Sequence, residues 1–555
     1  MTKTGFIYRN SQARVWTLTA GLAFLSMLTF AQAELSPEWI TRVSLGTGFA
    51  SGISGIVVDP DGVSYITGTS TVSNSDITTS SIAPDGSIRW TKVYNSGGSN
   101  ADQASGLTKS AGGILYVTGN TPGPNGFANL LILGYDANTG ALLKTIKYSS
   151  GPGLSEFGSS IVTDAAGNIY VTGGTTGDGP DVLTVKFDAN GVFQWKQVWD
   201  GAANAPFSLD SPVKILLDPN GDVVVAITGY AASLHADYVV VKYAPATGAT
   251  IWEKSQGVSG DDFPADMEID AAGDIYVTGT GIDFIDKYST IKLRGSDGFL
   301  LWQVYDALGN DHSARALFLD GVGGVFITGS SDPEGDQSNF NDQFFTVKRN
   351  ATTGALFWTH VYGQTCVGCF DVPTDVRVDS AGNVFVIGTT SSPPYSNEVI
   401  LFVLDTTTGL EKNRGLVFNV GVEIPSTREL RFDAAFNIYN SGSISNANTG
   451  AIDMTVTKWA SLVGGGGGIT CGDVSAFQAR CKNTTSGNRL QAQVTLSDTS
   501  HSGETVTVTL DGAPVILTIN GNRARLSIKE TTTGPHTFEL TDPAGCFAPI
   551  VVECN

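Results

Sequence analysis

The chain has 555 residues, 15% of them charged, 67 glycines and a formal net charge of −21. That balance excludes a protein held to nucleic acid through phosphates, and the composition is neither collagen-like nor disordered. The length allows two to four domains with a core that does not depend on the six cysteines.

Residues 1–33 read as a secretory signal peptide. Lys3, Arg9 and Arg14 form a basic start, Val15 to Phe30 is mostly apolar, and Ala31-Gln32-Ala33 supplies a small-x-small cleavage pattern. The apolar stretch is short for a membrane span, so the expected location is periplasmic or extracellular, where disulfides are permitted.

From residue 34 the chain repeats itself. Ile169-Tyr-Val-Thr-Gly173 has relatives at Leu115–Gly119, Ile275–Gly279 and Val325–Gly329. The closing glycines are Gly68, Gly119, Gly173, Gly229, Gly279, Gly329, Gly388 and Gly442, spaced 50 to 59 residues apart. Each copy begins with a short apolar strand ending in Asp, as in Met267-Glu-Ile-Asp270. A turn such as Ala271-Ala-Gly273 leads into the aromatic and β-branched strand. Two further strands follow, as around Val182–Phe187 and Trp195. Four antiparallel strands at this period make a propeller blade. The last copy lacks its fourth strand, whereas the segment Trp39–Ser44 is a fourth strand without the other three. The sequence therefore predicts an all-β, eight-bladed β-propeller over residues 34–463, closed by an N-terminal strand.

The stretch Gly257-Val-Ser-Gly-Asp-Asp-Phe-Pro-Ala-Asp-Met-Glu-Ile-Asp-Ala-Ala-Gly-Asp-Ile-Tyr-Val-Thr-Gly279 resembles the bacterial beta-propeller repeat (SBBP) family. The resemblance implies the propeller fold and no particular activity. Gly464 to Gly468 then reads as a glycine linker. Residues 469–555 alternate apolar and polar and predict a small immunoglobulin-like β-sandwich. Its Cys471, Cys481, Cys546 and Cys554 allow three disulfide pairings. In the propeller, Cys366 and Cys369 predict a loop-pinning disulfide, and Phe370 stands where haem attachment would need His.

Binding on a rigid scaffold belongs to variable loops. An acid recurs eight positions before the first-strand Asp or its equivalent at Asp102, Glu156, Asp210, Asp262 and Asp371, with His312 at that register in the sixth copy. These six residues are the candidate ligand-binding set, as a ring attracting an electropositive partner. The structural alternative is that the acids cap loop backbone or meet the third-strand lysines Lys186, Lys242, Lys292, Lys348 and Lys458. Asp332, Glu334 and Asp336 alternate in an acidic insertion that suits calcium, the one cofactor considered possible. Fragments such as Ala246–Trp252 resemble quinoprotein tryptophan motifs, but the chain has no adjacent Cys pair and the tryptophans read as packing between blades.

The leading functional expectation is a secreted, non-enzymatic binding or scaffold protein that engages a glycan, peptide or surface partner through its variable loops. The alternative is a propeller lyase or hydrolase using His312 as general base near Asp262. Neither nucleic acid nor a membrane span is expected.

Overall fold

The computed structural model describes residues 35–47, 52–71, 75–97, 101–123, 126–176, 179–201, 210–230, 235–257, 260–283, 285–307, 311–332, 342–363, 370–391, 398–417, 423–446, 451–459, 474–484, 487–497, 505–510, 513–519, 522–530, 534–542 and 550–554. The expected signal peptide and glycine linker lie outside them. Every regular element among the described residues is a β-strand, and the repeat region forms a β-propeller.

Each copy of the repeat folds into one antiparallel four-stranded sheet. The first comprises Ile53–Val58, Ser64–Thr71, Ser75–Ile82 and Ile88–Tyr94, in that spatial order. The first strands of the second to seventh sheets are Gln103–Lys109, Glu156–Thr163, Ser211–Leu217, Asp262–Ile269, Asp311–Leu319 and Val372–Val378. The eighth sheet contains Glu423–Phe432, Ile438–Asn446 and Ala451–Trp459, and its fourth place is taken by Pro37–Thr47 from the other end of the chain. Thr41 lies opposite Val456 in that pairing.

Local chemistry sets the hairpins. In six of the eight sheets the Asp that ends the first strand accepts main-chain amides of the turn: Asp270 Oδ1 takes those of Ala272 and Asp274 at 3.0 and 2.9 Å. Its other oxygen receives the Tyr276 hydroxyl at 3.0 Å, which links the turn to the second strand. Buried Thr pairs then bridge second and third strands, as with Thr278 and Thr290, whose hydroxyls are 2.8 Å apart.

Packing between sheets follows a second repeated pattern. Trp195 Nε1 donates to Pro245 O at 3.1 Å, Trp252 to Gly295 O at 3.1 Å and Trp302 to Ala351 O at 3.2 Å, each reaching from a fourth strand to a turn of the following sheet. Trp39, in the eighth sheet, donates in the same way to Pro84 O in the first. The receiving turn needs glycine for two reasons. Gly248 has φ +74°, and a Cβ there would stand 2.7 Å from the Trp195 ring. Apolar clusters fill the rest: Val43, Tyr439, Met454 and Val456 pack with Ile53, Ile56, Ile66 and Ile82, and comparable clusters join the other neighbouring sheets.

The C-terminal region forms two further sheets. Val474–Thr484, Gly487–Leu496 and Arg523–Glu530 make one. Ala513–Thr518, Thr505–Leu510, Gly534–Asp542 and Ile550–Cys554 make the other. They share one core, in which Phe477, Leu490 and Val494 meet Val508, Phe538 and Leu540. Cys481 packs against that core. Cys366, Cys369, Cys471 and Cys546 lie outside the described residues, as do Glu334 and Asp336.

Candidate binding cavity

The closing glycines explain the site. A Cβ on Gly279 would lie 2.1 Å from Phe263 O, and one on Gly119 would lie 1.8 Å from Gln103 O. The first strand presses its carbonyl this close because it carries a β-bulge at that point, between Pro264 and Asp266 in the fifth sheet. The same register shift occurs in all eight sheets. In seven of them the residue before the bulge faces a closing glycine; in the fourth, Pro212 faces Ile227. Gly229 is therefore not equivalent to the others, and its Cβ would meet the Trp199 ring instead.

The bulged residues are Ser54, Ser105, Ser159, Val213, Ala265, Arg315, Thr374 and Arg428. All eight line a single cavity of about 980 Å³ to which the first strand of every sheet contributes. A bulge re-aims its extra residue out of the ladder, so the repeat delivers one side chain per sheet to the same level of this cavity.

The next residues along the strands form a charged belt on one side. Lys214 Nζ lies 2.8 Å from Asp266 and 3.2 Å from Glu268. Asp375 pairs with Arg377 at 3.1 Å and with Arg431 at 3.5 Å, and Arg431 meets Glu429 at 2.6 Å. Burial would lower the Lys214 ammonium, but Asp266 and Glu268 overcome it and hold the group well above its usual range. Burial pushes the Asp375 carboxyl up, against the pull of Arg377, Arg431 and the Leu430 amide. Arg315 makes no hydrogen bond or ion pair among the described residues. Arg428 is 51% exposed, with a loose 3.7 Å approach to Glu429.

The acids expected to ring the loop face are elsewhere and otherwise engaged. Asp102, Glu156, Asp210, Asp262 and Asp371 are 0–4% exposed. Each stands at the entry to a first strand and accepts main-chain amides: Asp102 that of Ser96 at 2.7 Å and Glu156 that of Ser150 at 2.7 Å, both in loops, and Asp262 that of Ile282 near the end of the second strand at 3.2 Å. Asp210 accepts from Gly201 and Tyr230 at 3.1 and 2.9 Å, and Asp371 from Ser391 at 3.1 Å and the Thr390 hydroxyl at 2.7 Å. The geometry is that of loop caps, not of a solvent-facing carboxylate ring. The third-strand lysines go to other partners, as when Lys242 bonds Asp218 at 2.7 Å and Lys348 bonds Thr406 O at 2.7 Å.

His312 is likewise buried, at 0% exposure, with its ring against Tyr288 and Phe345. A general base must reach its substrate, and in this structure the imidazole is enclosed by aromatic neighbours. Asp332 is buried at the end of the second strand of the sixth sheet. Among the described residues, Asp181, Asp200 and Asp210 bring carboxylates within 4.8 Å of one another, a grouping that the repeat register did not single out.

No family model and no curated protein matches the chain. Solved structures with similar coordinates include the quinohemoprotein alcohol dehydrogenase ADHIIG of Pseudomonas putida HK5, with a TM-score of 0.46, 12% identity and coverage of 80% of this chain and 79% of that one. The quinohemoprotein alcohol dehydrogenase of Comamonas testosteroni gives a TM-score of 0.46 at 13% identity over 80% of this chain and 78% of that one. An ulvan lyase of polysaccharide lyase family PL25 gives 0.40 at 11% identity over 67% of this chain and 97% of that one. The first two carry a quinone and a haem in their names, which corrects the expectation of a propeller with no cofactor beyond calcium; that expectation is not carried forward. At such identities the likeness assigns no cofactor and no activity to this chain.

Proposed function

We propose that the chain is a secreted, non-enzymatic binding protein, an SBBP-type eight-bladed propeller sealed by its N-terminal strand, whose ligand seat is the cavity formed by the bulged first strands. The signal-like residues 1–33 support export. The fourth-strand role of Pro37–Thr47 and the Trp39 bond to Pro84 support a sealed ring. The appended pair of sheets supports an immunoglobulin-like domain, stapled by its cysteines, with a further disulfide between Cys366 and Cys369. The observation that carries the binding reading is the delivery of one bulged side chain from each sheet to a common polar cavity of about 980 Å³, within the range of ligand sites. The seat moves from the variable loops to the inner strands because the loop acids are turned into loop backbone.

The test is a thermal-shift screen of the full chain against extracellular glycans and peptides, run beside Ser105→Trp, which plugs the cavity. A ligand that raises the midpoint of the wild type only, in proportion to RT ln(1 + [L]/Kd), is the expected result. A partner that binds both proteins equally would defeat the proposal.

A further inference from the structure

We infer that the cavity takes an acidic sugar chain, with Arg315 and Arg428 as the two guanidinium anchors for its carboxylate or sulfate groups. The inference rests on the cavity being the ligand seat.

The charge ledger of the cavity runs against that of the chain. The whole protein carries −21, yet the level of the cavity formed by the bulged residues bears two arginines and no carboxylate. One level on, the carboxylates are already paired: Asp266 and Glu268 share Lys214, Asp375 has Arg377, and Glu429 has Arg431. That belt's three cations are all taken up by its four carboxylates, and Arg315 and Arg428 outweigh the one negative charge left over. Arg428 is committed weakly, through Nη1 to Ile53 O at 3.3 Å and the loose approach to Glu429. The repulsion of the distant surface acids is screened beyond about 8 Å at physiological ionic strength, so the local guanidinium groups decide what is held. Guanidinium offers a planar fork that matches carboxylate and sulfate oxygens.

The rest of the ring narrows the class. Thr374 sits between the two arginines in sheet order, and Ser54, Ser105 and Ser159 stand on the first three sheets. Hydroxyls and bulged backbone suit a ligand that is itself dense in hydroxyls. Only Val213 and Ala265 are apolar at this level, too little to seat the side chains of a peptide.

The experiment is calorimetric titration of the full chain with tetragalacturonate, with a chondroitin sulfate tetrasaccharide and with neutral maltotetraose. At least one acidic probe is expected to bind and the neutral one not to. Arg315→Ala and Arg428→Ala should each weaken binding by about tenfold or more, with Arg315→Lys restoring part of it. The two acidic probes distinguish carboxylate from sulfate. Arg315→Ala removes no internal partner, so an unchanged melting temperature shows that the lost affinity is not lost folding. No binding of either acidic probe, or the same affinity in the double alanine variant, overturns the inference. Binding of maltotetraose that Ser105→Trp abolishes would overturn the acidic class while leaving the cavity reading intact. Acidic binding indifferent to Ser105→Trp would overturn both.

Discussion

Asp375 Oδ2 accepts the main-chain amide of Leu430 at 2.7 Å and so ties the first strand of the seventh sheet to that of the eighth. Asp266 does the same for Leu317 at 2.9 Å, and Ser160 for Ile215 at 3.4 Å. A side chain at the position after the bulge thus serves as a clasp between inner strands, and in two of these cases the clasp also anchors the charged belt. Asp375→Ala leaves a buried amide and two cations without their carboxylate. Removing one partner of a buried pair costs about 3–5 kcal/mol. The check is the urea midpoint at constant m-value; a cost below about 1 kcal/mol would mean the clasp is incidental.

Gly279→Ala places a methyl group 2.1 Å from a backbone carbonyl that the bulge holds in place. The cost should reach or exceed the upper end of the about 1–3 kcal/mol typical of overpacking. Gly221→Ala is the control, since its Cβ meets nothing within 4 Å and only its φ of +84° opposes the change. That variant should lose about 1 kcal/mol. Equal losses in thermal or chemical unfolding would remove the bulge from the explanation.

Trp195 and Gly248 should behave as one unit. Trp195→Phe forfeits the indole bond to Pro245 O, but Lys186 Nζ reaches the same carbonyl at 2.7 Å, so the loss should stay near 1 kcal/mol. Gly248→Ala meets the ring directly. Trp195→Ala should relieve part of that clash, giving a coupling of about 0.5–3 kcal/mol in a double-mutant cycle. Strict additivity would contradict the packing described.

Burial holds the His360 imidazole below its ordinary 6.5, with Glu411 raising it and Arg414 lowering it by less. The unfolded chain therefore takes up this proton first. Stability from this group is intact above about pH 6.5 and is lost as pH falls through the folded value. Unfolding midpoints measured from pH 8 to pH 5 should decline more steeply in the wild type than in His360→Gln. Parallel profiles would show that the group does not titrate as stated.

The glycine spacing and the Asp-turn-Tyr grammar were legible because they are local: a turn needs its Asx bond wherever it occurs. The missing fourth strand was legible too, since a hairpin grammar leaves gaps in plain view. The orientation of Asp102 and its counterparts was not. Position at a strand entry says nothing about whether a carboxylate turns outward or accepts the loop amide beside it. Arg315 and Arg428 escaped notice because a bulge suspends the period of two on which strand faces are read. A signal was present nonetheless: the residue fourteen positions before seven of the eight closing glycines is the bulged one. Gly229 breaks that spacing, because the fourth sheet places Ile227 where the others place glycine.

Thr41 and Val456 are strand partners about 415 positions apart. Synthesis at about 5–20 residues per second separates their appearance by roughly 20–80 s. Throughout that interval the earliest strand of the propeller has no slot to enter, and the slot, once made, accepts the strand of any copy. Exchange of the N-terminal strands between two copies would complete both eighth sheets with the same pairing, the low-cost route to a swapped pair.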